Sequence, residues 1–198
     1  LQIDKKIKIS KKEILKDFYL INESRQLSLL GRKEVFMGRA KFGVFGDGKE
    51  LPQIAMSKVF ENGDIRSGYY RDQTFMMAID QLTPNQFFSQ LYSHTDITKE
   101  PHSAGRQMNC HFATRMLNDS GEWKTLTDIK NSTSDISCVA GQMPRLIGLA
   151  YASKLYSQPI NDLQKEADRY IKEGFKMFKM RFGWGPKDGP EGVKKILI

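Results

Sequence analysis

The chain has 198 residues, 39% of them hydrophobic and 27% charged, with a net charge of +8. That balance excludes disorder along the whole length. Two cysteines exclude a disulfide scaffold, and 16 glycines with 7 prolines exclude a collagen-like repeat. No apolar run approaches the roughly 18 to 20 residues that span a bilayer, so no membrane role is expected.

Ser10-Lys11-Lys12-Glu13 has the form of a capping box. Ile14, Phe18 and Ile21 follow at helical spacing, with Leu15 and Leu27 to Leu30 thickening the stripe. A long helix over about 11–36 is predicted. Gly38, Gly43, Gly46 and Gly48 make the next stretch a loop. Pro52 suits a first helical turn, and a short helix is expected from there to Phe60. After the turn Glu61-Asn62-Gly63-Asp64, residues Ile65 to Tyr70 are rich in β-formers and predict a strand. Asp72 can cap a helix carrying Phe75, Met76, Met77 and Ile79. Thr83-Pro84-Asn85-Gln86 is a second capping box, opening a helix with Phe87, Phe88, Leu91 and Tyr92 on its apolar side.

Residues 93–137 show little periodicity and are rich in Ser, Thr, Asn and Asp. A loop this long inside a compact domain is usually functional. A helix over about 141–156 follows, and its small residues Gly141, Gly148, Ala150 and Ala152 predict close packing. Beyond the turn Gln158-Pro159-Ile160-Asn161, a helix to Lys172, a stop at Gly174 and a strand over 175–182 form an αβ unit.

Six lysines among the first 16 residues face only Asp4 and Glu13. No aromatic residue interleaves with them as single-strand binding would want, so a solvated helix entrance is expected and no nucleic-acid partner. Cys110 and Cys138 have no metal-ligand spacing, and no apolar segment of signal-peptide form follows the basic start. Both are expected to be reduced thiols of a cytoplasmic protein.

Four stretches occur in order: Gly48-Lys49-Glu50, Gly68-Tyr69-Tyr70-Arg71, Gly105-Arg106-Gln107-Met108-Asn109-Cys110-His111-Phe112 and Ser137-Cys138-Val139-Ala140-Gly141-Gln142-Met143-Pro144. Together they make residues 1–156 resemble the alpha region of the thiamine-diphosphate-dependent decarboxylating component of 2-oxo acid dehydrogenase complexes, of branched-chain or pyruvate type. The resemblance implies an α/β chain with a partial, transketolase-like parallel-sheet domain over 1–156. It implies an oxidoreductase that decarboxylates a 2-oxo acid on thiamine diphosphate and passes the acyl group to a lipoyl arm. The implied partners are a beta region or beta chain and a lipoyl-bearing acyltransferase.

The positions matching Tyr70 and Arg71 contact the cofactor diphosphate in that family. Those matching Ser137 and Val139 lie against the cofactor, largely through backbone groups. An arginine at a strand end offers a charged, bidentate fork to phosphate oxygens, and Tyr70 adds a hydroxyl. Read alone, Arg71 could instead pair with Asp72. His111 could line a substrate channel or be a satisfied loop histidine, and no role is assigned to it.

The family holds magnesium through a motif that begins Gly-Asp-Gly and ends in a downstream Asn. Gly46-Asp47-Gly48 has the start, but no Asn falls at the right distance: the next after Asn62 is Asn85. This triplet is read as a decoy, no metal ligand is assigned, and the chain is expected to be inactive alone.

Residues 157–198 form the second expected unit. Glu166 to Tyr170, Glu173-Gly174-Phe175 and Phe178-Lys179-Met180-Arg181-Phe182-Gly183 resemble the early barrel of the enolase superfamily, mandelate-racemase type. That resemblance implies an alternative function, an acid-sugar dehydratase or racemase fragment. Arg181 stands where the family carries a basic Lys, and an arginine stays protonated near neutral pH. So short a segment cannot close a barrel of about 250 residues. The succession of two families, and the start at Leu1, predict a composite or truncated chain, or a non-catalytic remnant.

Overall fold

A computed structural model describes residues 10–157, 165, 168, 169 and 171–174. The strand expected over 175–182, with Lys179 and Arg181, lies outside the described residues. Contacts divide the chain into two units, Leu1–Met143 and Pro144–Ile198.

The first unit is mixed: mostly helical, with one small parallel sheet. Helix α1 spans Lys11–Phe36, α2 Glu50–Ser57, α3 Gln73–Ala78 and α4 Pro84–Leu91. Strand β1 is Ile65–Arg66 and pairs in parallel with β2, Asn131–Ser132. Helix α5, Gln142–Ser157, begins in the first unit and runs into the second. Among the described residues no helix is long and apolar enough to cross a membrane.

Local signals place α1 and α4 where the sequence puts them. Ser10 Oγ accepts the Glu13 N–H at 3.2 Å. At Thr83 the box is complete: Thr83 Oγ1 takes the Gln86 N–H, and Gln86 Oε1 takes the Thr83 N–H. Residues 93–137 are loop except for a 3₁₀ turn at Leu126–Asp128, β2 and one bridge between Leu117 and Trp123.

Five expectations need correction. The strand expected over 65–70 stops after Arg66, and α2 begins two residues before Pro52. Asp72 stands at the N-cap of α3 but makes no side-chain cap bond; its carboxylate is taken by Arg66 and the Tyr69 N–H. The buried face of α1 is not the Ile14–Phe18 stripe, whose members are exposed, but Ser24, Leu27, Ser28 and Gly31. Ser24 Oγ meets Thr74 Oγ1 at 2.7 Å, and Gln73 Nε2 donates to the Ser24 carbonyl at 2.8 Å. A polar seam thus docks α1 on α3, and a Cβ at Gly31 would run into the Phe45 ring. Finally, Gly148 faces open space among the described residues, so close packing does not explain it.

The core joins Leu27, Phe75, Met76, Met77, Ile79, Leu82, Phe87 and Leu91 with Cys110 and Phe112 of the long loop. Burying Cys110 and Phe112 draws residues 109–113 against α3 and α4. That docking sets one wall of the site.

Candidate functional site

Three chain segments meet beyond the short sheet: Tyr69–Arg71 after β1, Asn109–Phe112, and Asp135–Ser137 after β2. The sheet explains why. Parallel strands send both chains out of the same end, and ligand sites in parallel sheets lie at the carboxyl ends of strands.

The side chains form a line. The Arg71 guanidinium carbon sits 5.6 Å from the centre of the Tyr70 ring. Tyr70 lies nearly parallel to the His111 imidazole, at 6.2 Å between centres and 18° between planes. His111 Nε2 is 2.7 Å from Ser137 Oγ. His111 Nδ1 faces the Asn109 carbonyl at 3.1 Å, and a carbonyl can only accept. Nδ1 therefore carries the proton, and in the neutral ring Nε2 accepts the Ser137 hydroxyl. The imidazole is buried, whereas Ser137 is exposed.

Of the expected residues, Tyr70 and Arg71 are neighbours in the chain, and Ser137 is linked to Tyr70 through His111. Val139 is 79% exposed and stands outside this line of side chains. Arg71 does not pair with Asp72, which belongs to Arg66. The Tyr70 hydroxyl is held below its ordinary pKa chiefly by the neighbouring Tyr69 hydroxyl and secondarily by the Arg71 guanidinium. Such a phenol and guanidinium, side by side and open to solvent, can meet an anion together.

The backbone beneath Arg71 is pinned. Gln53 Nε2 donates to the Arg71 carbonyl at 2.8 Å. Gly46 lies so close to that same carbonyl that a Cβ would overlap it. The Gly46-Asp47-Gly48 triplet is accounted for by these contacts. Asp47 pairs with Arg32 at 2.7 Å, and the Gly48 N–H donates to Glu50 Oε2. Glu50 is held below its usual pKa chiefly by Arg25.

Among the described residues no group of three His, Cys, Asp or Glu side chains could hold a metal ion.

Two clefts lie elsewhere. One of about 480 Å³ is lined by His102, Arg106 and Arg115 among others, and one of about 420 Å³ by Phe42, Tyr92 and Asn109 among others. Neither is lined by Tyr70, Arg71, Ser137 or Val139.

Sequence reasoning gave no role to Arg66, Asp135, Tyr69 or His111. Their partners are remote: Arg66 and Asp135 are 69 positions apart, and His111 and Ser137 are 26 apart. A charged residue inside a β-forming run was the one local signal at Arg66.

No family model matches the chain, and no curated protein matches it.

Proposed function

We propose that the chain is part of the decarboxylating component of a 2-oxo acid dehydrogenase, with thiamine diphosphate as its cofactor. The observation that supports this reading is the line from Arg71 and Tyr70 through His111 to Ser137, which sequence proximity does not provide. Arg71 and Tyr70 take the diphosphate, and the backbone around Ser137 and Val139 lies along the cofactor. When bound, the cofactor supplies the carbanion chemistry that releases carbon dioxide from a 2-oxo acid. His111 holds Ser137 by a hydrogen bond and so fixes the wall that faces Tyr70.

In this reading the first unit is a partial thiamine-diphosphate-binding domain of a cytoplasmic protein. A beta region supplies the groups that activate the cofactor, and a lipoyl-bearing acyltransferase takes the product. The chain alone binds cofactor weakly and does not turn over. A charge-assisted phosphate contact is worth only about 1.5–3 kcal/mol, so affinity resting mainly on it is in the millimolar range or weaker.

Titration of the full chain with thiamine diphosphate, with and without magnesium, tests this. Millimolar binding that Arg71→Gln abolishes is the expected result. Absence of binding, or binding indifferent to Arg71→Gln, refutes the reading. Turnover of pyruvate or 3-methyl-2-oxobutanoate, or micromolar binding dependent on magnesium, refutes the claim of incompleteness.

A further inference from the structure

Arg66 donates five hydrogen bonds, and no catalytic or binding role accounts for it. Its side chain is 6% exposed. Nε and Nη2 both donate to Asp72 Oδ2, at 3.0 and 2.8 Å. Nη1 donates to Ser132 Oγ at 2.6 Å. Nη2 also reaches the Tyr69 carbonyl at 3.1 Å and Asp135 Oδ2 at 3.0 Å. The guanidinium lies over the Phe112 ring, 5.6 Å from its centre.

Each partner leads to one segment of the candidate site. Asp72 Oδ2 also accepts the Tyr69 N–H at 3.0 Å, so Tyr69 is held at both its N–H and its carbonyl. Tyr70 and Arg71 follow directly. Asp135 is fully buried at its side chain, and Oδ2 also accepts the Phe112 N–H at 3.0 Å. Asp135 stands two residues before Ser137, and Phe112 one residue after His111. Gly68 completes the fit: a Cβ there would overlap the guanidinium, so the glycine of the Gly-Tyr-Tyr-Arg stretch makes room for Arg66.

We propose that the triad of buried Arg66 and Asp135 with half-buried Asp72 is the positioning element of this site. It sets Tyr70 and Arg71 against His111 and Ser137 without touching a ligand. The fold leaves this positioning to side chains because the sheet has only two paired positions. A two-residue ladder fixes β1 to β2 but not the chains that leave them. An arginine fork suits this role because it is planar, permanently charged, and binds several acceptors in fixed directions. A lysine would keep the charge and lose the fork. The inference rests on the proposed function only in naming thiamine diphosphate as what the site holds.

The test uses the full chain and two ligand-free readouts: the ring-nitrogen resonances of His111, which report its bond to Ser137, and the titration of the Tyr70 phenol. Variants are Arg66→Lys, Asp135→Asn and Gly68→Ala, with Met76→Ala as a core substitution of comparable or greater stability loss outside the triad. Expected is loss of the His111–Ser137 signature and return of the Tyr70 phenol toward ordinary values in the triad variants while they remain folded. Met76→Ala keeps both. Unchanged signals in folded Arg66→Lys and Asp135→Asn overturn the proposal. So do equal changes in Met76→Ala, which would make the triad merely structural. Should Arg66→Lys not fold, Asp135→Asn and Gly68→Ala decide on the same readouts. If the native chain binds thiamine diphosphate, the triad variants lose about tenfold or more in affinity. If it does not, the functional reading falls, and the two ligand-free readouts still decide the positioning role.

Discussion

Glu100 is fully buried in the long loop, and its carboxylate is the acceptor around which residues 100–105 wind. Oε2 accepts three bonds, from the Ser103 N–H, the Ser103 hydroxyl and the Gly105 N–H, at 2.9, 2.6 and 3.0 Å. Oε1 accepts one, from the His102 N–H at 2.9 Å. Bonds to a charged acceptor contribute about 1.5–3 kcal/mol each, but a plain sum overshoots, because half-buried donors regain water when freed. Glu100→Ala should therefore cost about 3–5 kcal/mol, a large share of a domain's stability of about 5–15 kcal/mol. Glu100→Gln separates the two oxygens. Its carbonyl can take the place of Oε2 and keep three bonds, while its amide faces the His102 N–H as donor to donor. The cost should be one charged bond, about 1.5–3 kcal/mol. Urea unfolding measures both, with a lowered midpoint and an unchanged slope expected. If Glu100→Gln matches the native chain, or costs as much as Glu100→Ala, the carboxylate does not act through these bonds.

Burial pushes the His102 imidazole below its ordinary pKa, against the opposing pull of the Ala113 carbonyl and Glu100. The unfolded chain protonates near pH 6.5, so there it binds more protons than the folded one. The associated stability is present above that pH and is lost as pH falls through the lower folded value. Unfolding midpoints at stepped pH should show this loss, and His102→Gln should flatten it. Cys138 is exposed, whereas Cys110 is fully buried and its thiol pushed far up by desolvation. A thiol reagent should therefore modify Cys138 alone in the native chain and both cysteines in denaturant; native labelling of Cys110 would contradict the packing. Gln90 Nε2 donates to the His111 carbonyl at 2.6 Å and Oε1 accepts the Cys110 N–H at 2.7 Å. Gln90→Glu keeps the acceptor but sets an oxygen against a carbonyl, and should cost about 1–3 kcal/mol by urea unfolding; a change within a few tenths would refute that role.

What could be read from the sequence was what is encoded over three or four residues. Thr83-Pro84-Asn85-Gln86 gives the start of α4 because donor and acceptor lie within one turn. Ser10 and Glu13 give the start of α1 for the same reason. The lack of periodicity over 93–137 gave the long loop. Periodicity misled over the face of α1, because Ser24, Ser28 and Gly31 are buried by hydrogen bonds and close ring contact rather than by hydrophobicity. Asp72 misled for a related reason. It stands at a cap position, but a buried guanidinium is a stronger claimant for its carboxylate than the first-turn amides. At the site, the motif glycines were visible as glycines, yet what they make room for was not. Gly46 admits the Arg71 carbonyl across the fold, and Gly68 admits the guanidinium of its near neighbour Arg66.

The first unit places its loops by a device that no periodicity records. Three side-chain amides each give and take a hydrogen bond with backbone on another segment, as a strand would. Gln53 joins the Arg71 carbonyl to the Phe75 N–H. Gln90 joins the His111 carbonyl to the Cys110 N–H, and Asn109 takes the Val44 N–H and gives to the Val44 carbonyl. An amide carries the same donor and acceptor as a peptide group, so it satisfies buried backbone where no ladder reaches. Two of the three act on Arg71 and His111 themselves. Together with the Arg66 triad they fix both walls of the candidate site from behind, by groups that approach no ligand. The geometry of the site then depends on buried polar residues as well as on the hydrophobic core beneath it. Substitutions that leave the core whole can still take the site apart.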